Sequence, residues 1–350
     1  MSKITVGILG ATGAVGQRFV QLLNGHPWFR ITALAASQRS SGQSFGQACH
    51  WTMLGDMPAE VREMIIQPAE PPLACQLLFS ALPGELAGPI EARFATAGYV
   101  VCSNASAHRL VSDVPLLVPE VNADHLALVE TQRQRRGWPG LVVTSPNCST
   151  TQLVLALKPL QDAFGLHRVS VVTMQAVSGA GYPGVPSLDI IGNIIPYIGG
   201  EEDKMERESL KLLGRLDGEQ IVEADLRLSA QCNRVAVRDA HLESVSVELS
   251  ATATTEQVIA ALRDFAGQSR KTALPSAPER PIIVRQEMDR PQPLRDHDAA
   301  GGMAISVGRV RACSVLDFKF TVLGHNTVRG AAGGSILNAE LLAAHGYLKR

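Results

Sequence analysis

No sign of charge predominates in this chain: 32 Lys and Arg stand against 33 Asp and Glu, a formal net charge of -1. Without a surplus of either sign, charge-driven attachment to nucleic acid or to a membrane surface has nothing to drive it. Long hydrophobic runs are also missing; none approaches the ~18–20 apolar residues that span a bilayer. The N-terminus, Met1-Ser2-Lys3, passes straight into a strand-like segment, with no apolar signal-peptide core. Six cysteines, at 49, 75, 102, 148, 232 and 313, include no CxxC pair and no zinc spacing. Neither a disulfide framework nor a metal site is expected from them. These absences predict a cytoplasmic protein with reduced thiols, no metal, no nucleic acid and no membrane partner. At 350 residues the chain is long enough for two domains.

The clearest local signal lies at the start. Ile4 to Leu9 is a short apolar strand, Gly10-Ala11-Thr12-Gly13-Ala14-Val15-Gly16 is a glycine turn, and Gln17 to Leu23 continues as an amphipathic helix. Strand, glycine turn and helix open a dinucleotide-binding unit, because glycines let the backbone approach a pyrophosphate and a helix N-terminus offers it N–H donors. Gly10, Thr12, Gly13, Ala14 and Val15 are therefore candidate cofactor contacts. A second strand is expected at Phe29 to Ala36, and others at Leu77–Ser80, Tyr99–Cys102 and Leu141–Thr144, with a helix over Leu86–Ala97. This alternation predicts an α/β fold with a Rossmann-type doubly wound parallel sheet.

The second strand ends Ala35-Ala36-Ser37-Gln38-Arg39-Ser40-Ser41, and no acid occurs from Gly10 until Asp56. NAD sites place Asp or Glu here to bind the ribose 2′-OH. Hydroxyls and a cation instead suit a 2′-phosphate, so Ser37, Arg39 and Ser40 point to NADP.

The second half reads as β-rich at Val169–Ala176, Arg234–Val237, Glu243–Thr254, Ile305–Val310 and Leu316–Leu323. Helices are expected at Thr150–Ala163, Asp203–Leu213, Thr255–Gly267 and Gly333–His345, with a loop over Gln286–Gly302. Runs of strands beside separate helices predict an α+β domain with a mixed sheet. The boundary between the two domains is placed at 147/148.

Ser145-Pro-Asn-Cys-Ser-Thr-Thr151 follows the apolar run Leu141–Val143 and precedes a helical stretch. Cys148 thus sits at a helix N-terminus, where unpaired N–H groups and the dipole favour a thiolate. It is the candidate nucleophile. His241, just past a short strand, suits general acid/base work near neutral pH. Arg234, seven residues earlier, could hold a carboxylate by a bidentate pair. A nicotinamide site with a nucleophilic cysteine suggests an aldehyde dehydrogenase that works through a thioester.

The residues then match a family nearly end to end. GATGAVG at 10–16, SNASAHR at 103–109, VPLLVPEVN at 114–122, SPNCST at 145–150 and QAVSGAGYPG at 175–184 carry the likeness. IIPYIGGEEDKMERE at 194–208, NRVAVRDAH at 233–241, DRPQP at 289–293 and GHNTVRGAAGGSIL at 324–337 extend it. The chain resembles aspartate-semialdehyde dehydrogenases, particularly their archaeal and fungal branch. The resemblance implies that Cys148 is the acyl-thioester nucleophile, His241 the acid/base and Gln175 an orienting group. It implies that Arg234 holds the substrate α-carboxylate and Glu201 its α-amino group, with Arg109, Lys204 and Asn104 at the phosphate. Ser178, Gly179 and Asn326 resemble positions near the nicotinamide. It further implies that a C-terminal helix of about 326–350 completes the 1–147 domain, that 148–325 forms a catalytic and dimerisation domain, and that the protein is a homodimer or homotetramer. The reaction implied is reversible NADP-dependent reductive dephosphorylation of L-aspartyl 4-phosphate, in biosynthesis of lysine, threonine, methionine and isoleucine.

Other readings stand beside it. A malonyl-CoA reductase of the same fold shares the C-terminal HNTVRGAAGG stretch, although its substrate brings no amine for Glu201. N-acetylglutamyl-phosphate reductase is a second such relative. A thiol hydrolase or acyltransferase would use Cys148 and His241 without redox chemistry, and a non-catalytic NADP sensor would use neither.

Overall fold

The structure, a computed structural model, describes residues 2–349. Strands β1 (Ile4–Leu9), β2 (Phe29–Ala36), β3 (Ile66–Pro68), β4 (Leu77–Ser80), β5 (Val100–Ser103) and β6 (Leu141–Thr144) form one sheet in the order β3-β2-β1-β4-β5-β6. Every pairing in it is parallel. β4, β5 and β6 are buried along their whole length, as strands covered on both faces must be. The strand order reverses beside β1, which opens a crevice at the carboxyl ends of β1 and β4.

The helix Ala14–Leu23 turns Phe19, Val20 and Leu23 inward, and Phe19 stacks on Phe79 of β4 with ring centroids 4.7 Å apart. The last helix, Gly333–Ala344, packs into the same core: Ile336, Leu337, Leu341 and Leu342 lie with Ile4, Phe19, Phe79 and Val143. Each such buried Leu or Ile contributes about 1.5–3 kcal/mol. Just before that helix, Arg329 meets Glu120 through two hydrogen bonds, at 2.8 and 2.6 Å, with both side chains buried.

The second sheet takes β7 (Leu166–Gln175), β10 (Arg227–Arg234), β11 (His241–Leu249), β12 (Ile282–Val284), β13 (Ile305–Ala312) and β14 (Phe318–Gly324) in the order β10-β7-β11-β14-β13-β12. Its outer pairs are parallel and its inner ones antiparallel, so it is a mixed sheet. A short hairpin of β8 (Arg215–Asp217) and β9 (Gln220–Val222) stands apart. The helix Cys148–Phe164 buries Leu153, Val154, Leu157 and Leu160 against Val169, Val171, Val245 and Val322 of the sheet. No helix among the described residues is long and apolar enough to cross a membrane.

The strand expected at Arg234–Val237 occupies Arg227–Arg234 and ends where it was expected to begin. It is the edge strand of its sheet and only alternate residues are covered, so its sequence carries few apolar residues to read. Residues 235–237 instead form a bend, with the Val235 N–H donating to Gln175 O at 3.0 Å. The strand expected at Glu243–Thr254 starts earlier, at His241, and stops at Leu249. The expected loop at 286–302 contains one helical turn, Pro293–Asp296. β3, β8, β9 and β12 were not anticipated; each is too short to show a period.

Candidate active site

At the crevice, Gly10 has φ +77° and its carbonyl accepts the Gly13 N–H at 3.1 Å. A Cβ on Gly16 would overlap the Gly10 carbonyl oxygen, so the turn closes only around glycine. Thr12 accepts the Gln17 side chain through its carbonyl at 2.9 Å. No side chain caps the helix at Gly13, and its first-turn N–H groups, those of Ala14 and Val15 among them, have no intrahelical partners. The Gly10 and Ala11 N–H groups both donate to Ala35 O, at 2.8 and 3.1 Å. That tie places the glycine turn beside the end of β2, where Ser37 and Arg39 are exposed and Ser40 is buried.

Cys148 begins its helix, and Asn147 caps it: Asn147 Oδ1 accepts the N–H groups of Ser149 at 2.9 Å and Thr150 at 3.2 Å. His241 Nε2 lies 3.2 Å from Cys148 Sγ. The Ala176 N–H donates to His241 Nδ1 at 3.0 Å. That bond assigns the ring proton of neutral His241 to Nε2, facing the sulfur. Burial, reinforced by the Arg234 cation, lowers the His241 pKa to about 3. Burial and the Glu201 carboxylate raise the Cys148 thiol to about 12, with Arg109 and Arg234 pulling the other way. Burial thus opposes the ionisation expected from the helix N-terminus, where the Asn147 cap also occupies the Ser149 and Thr150 N–H groups.

Cys148 opens on a cavity of about 460 Å³. Arg109 is held there by two bonds, Nη1 to Glu208 Oε1 at 2.9 Å and Nη2 to Asn104 O at 2.6 Å. Its Nε and the Asn104 side-chain nitrogen are buried without a partner, so both stand as donors awaiting an acceptor. Lys204 Nζ lies 3.9 Å from Glu201 Oε2, and Glu201 Oε1 accepts the Asn147 side chain at 2.8 Å. Arg234 donates to Ala176 O at 2.8 Å, and Gln175 donates to Thr173 Oγ1 at 3.3 Å. Asn326 bridges the cavity rim, donating to Ser178 Oγ at 2.8 Å and accepting the Ala240 N–H at 2.9 Å. A Cβ on Gly179 would come within 2.8 Å of Arg234 Nη1 and 3.1 Å of the His241 ring.

Cys148, Gln175, Asn104, Arg109, Glu201, Lys204, Arg234, Ser178, Gly179 and Asn326 therefore line one cavity, and Val15 reaches it from the glycine turn. Ala14 faces a neighbouring cavity of about 510 Å³. Gly10, Thr12, Gly13, Ser37, Arg39 and Ser40 line neither. Three participants escaped the sequence reading: Asn147, the Ala176 N–H and Glu208. A Pro-Asn pair before a helix is a cap signal that could have found Asn147. Among the described residues no cluster of three or more His, Cys, Asp or Glu could hold a metal ion.

Residues 5–129 match the family model for the semialdehyde dehydrogenase NAD binding domain, and residues 157–329 match that for the semialdehyde dehydrogenase dimerisation domain. An aspartate-semialdehyde dehydrogenase of Archaeoglobus fulgidus is 52% identical over 341 residues, covering 97% of this chain and 98% of that protein. The Schizosaccharomyces pombe enzyme is 46% identical, with 98% and 99% covered. The Candida albicans aspartate-semialdehyde dehydrogenase, solved with NADP, superposes with a TM-score of 0.92 at 42% identity, covering 98% of this chain and 99% of that one. With family models along most of its length and relatives matched end to end, the chain belongs to the aspartate-semialdehyde dehydrogenase family.

Proposed function

We propose that the protein is an NADP-dependent aspartate-semialdehyde dehydrogenase. It reduces L-aspartyl 4-phosphate to L-aspartate 4-semialdehyde and phosphate, reversibly, in the cytoplasmic biosynthesis of lysine, threonine, methionine and isoleucine. The observation that carries this is the Cys148–His241 contact of 3.2 Å, made by a sulfur that lines a cavity whose buried donors on Arg109 and Asn104 lack an acceptor.

The glycine turn fits a pyrophosphate: its crowding excludes side chains and its helix N-terminus is bare. Gly10, Thr12, Gly13, Ala14 and Val15 would hold that group. Ser37, Arg39 and Ser40 would hold the 2′-phosphate, and Ser178, Gly179 and Asn326 the nicotinamide end. When bound, NADPH supplies the hydride that reduces the thioester.

Arg234 holds the substrate α-carboxylate, Glu201 the α-ammonium, and Arg109, Lys204 and Asn104 the phosphate. Sulfur of Cys148 bonds to the acyl carbon, the C–O bond to phosphate breaks, and the thiol proton leaves with the phosphate. After reduction an oxyanion stands on the carbon bound to sulfur. A negative charge so near His241 raises the affinity of the ring for a proton, offsetting the burial and the Ala176 bond that keep it neutral at rest. His241, charged by a proton taken from solvent, protonates the oxygen and recovers that proton as the C–S bond breaks to release the aldehyde. It then passes the proton to the leaving thiolate, which restores the neutral pair. The N–H of Cys148 itself stabilises the oxyanion, since those of Ser149 and Thr150 are taken by the Asn147 cap, and Gln175 orients the reacting groups. The Rossmann part takes the chain up to residue 147 together with the last helix, which runs over Gly333–Ala344 rather than the expected 326–350. The 148–325 part carries catalysis and the contact of a homodimer or homotetramer.

The test follows NADP reduction at 340 nm with aspartate semialdehyde and phosphate, beside NADPH oxidation with malonyl-CoA. Turnover in the first assay alone is expected. Turnover with malonyl-CoA alone would assign the cavity to the rival thioester reductase.

A further inference from the structure

Glu208 has no place in the scheme above, yet its two oxygens join the anion pocket to the nucleophile. It is 1% exposed and sits on the helix Glu201–Leu212, at a spacing that puts Glu201, Lys204 and Glu208 on one face. Its Oε1 accepts from Arg109 Nη1 at 2.9 Å, and its Oε2 accepts the Asn147 backbone N–H at 2.6 Å. Asn147 is the cap of the helix that begins with Cys148. With Asn104 O accepting from Nη2, the guanidinium is fixed in plane, and its unpartnered Nε–H, with the second hydrogens of Nη1 and Nη2, remains for a ligand.

Only a carboxylate meets both demands. Each partner is a donor, and an amide in this place would turn its own N–H toward one of them. We propose that Glu208 is a positioning residue: it orients Arg109 for the substrate phosphate and fixes the cap of the Cys148 helix, so that phosphate pocket and sulfur keep one spacing. This rests on the reading of Arg109 as a phosphate ligand.

The experiment compares wild type and Glu208→Gln by two readouts. One is kcat and the KM values for phosphate, aspartate semialdehyde and NADP. The other, independent of turnover, is the concentration of inorganic phosphate that half-protects Cys148 from iodoacetamide. The expected result is at least a tenfold rise in phosphate KM and in the half-protecting concentration, with NADP KM and melting temperature close to wild type. Phosphate values within twofold of wild type would overturn the proposal, and so would a uniform loss of every constant together with melting temperature. Should Glu208→Gln fail to fold, Glu208→Asp, which keeps the charge but is too short to reach both partners, is held to the same criteria. Phosphate protection of wild type without turnover would sink the proposed reaction and leave the role of Glu208 standing. Absence of protection in wild type would sink the role of Glu208.

Discussion

Around the glycine turn the binding surface is backbone from consecutive residues, Gly10 to Gly16, shaped by the exclusion of side chains. Around Cys148 it is polar side chains drawn from segments scattered between Asn104 and Thr327. The first surface follows from a local rule, since strand, turn and helix are neighbours in sequence. The second exists only because β7, β10 and β11 bring Gln175, Arg234 and His241 to one end of a sheet, facing the start of the Cys148 helix. A contiguous backbone site is sensitive to added atoms, whereas a dispersed side-chain site is sensitive to lost ones.

The sharpest break in that contrast is Cys148→Ser. Removing the sulfur leaves the glycine turn untouched, so turnover should fall by roughly a thousandfold or more while NADP affinity stays within about twofold. Initial rates and fluorescence titration of NADPH measure the two. A serine variant with near-normal turnover would refute the covalent route.

Gly16→Ala tests the other side. The added methyl must displace the Gly10 carbonyl, an overpacking that costs about 1–3 kcal/mol and distorts the turn. NADP affinity is expected to weaken about tenfold to a hundredfold, with the reactivity of Cys148 toward iodoacetamide little changed. Unaltered NADP binding would mean that the pyrophosphate does not rest on this turn.

The third prediction concerns the charge state of the nucleophile. With the thiol raised to about 12, the thiolate is a minor species throughout the accessible range. Its fraction should climb about tenfold per pH unit, so alkylation of the free enzyme should rise about tenfold for each unit from pH 7 to pH 10. A plateau below pH 8 would show that the helix N-terminus prevails over burial after all.

The same contrast explains which parts of the molecule are legible in the amino-acid order. β1, β4 and β6 can be read directly because buried parallel strands are nearly continuous apolar runs bounded by turns, and β2, despite Arg30 and Thr32, by its buried second half Ala33–Ala36. β10 resists because an edge strand half-exposed to solvent carries Arg, Ser, Gln and Asn. Within the cavity, Cys148 and His241 stand out by residue type and local context. Arg109, Glu201 and Lys204 look like ordinary surface charges until the fold buries Arg109 and Glu201, and only the likeness to a known family singled them out. Glu208 is silent for a further reason: its partners lie 99 and 61 residues away, and no local pattern announces a carboxylate that must satisfy two donors at once.

The smallest expected effect belongs to the edge of the glycine-turn region, at Arg39. It is exposed, so its attraction to a 2′-phosphate is screened, and Ser37 and Ser40 share the load. An exposed charge pair is worth up to about 1 kcal/mol, which sets the expected change at about fivefold. Arg39→Ala should reduce the preference for NADP over NAD by that factor, mostly through NADP, with kcat unchanged. The loss should also shrink at about 0.5 M salt, where the Debye length falls to a few ångströms, because screening already deprives the wild-type arginine of its advantage. A salt-independent loss would mean that Arg39 acts by shaping the turn after β2. No change in the preference would leave cofactor discrimination to the serines and to the missing acid, and would make this rim, like the turn beside it, a site defined more by what is absent than by what is charged.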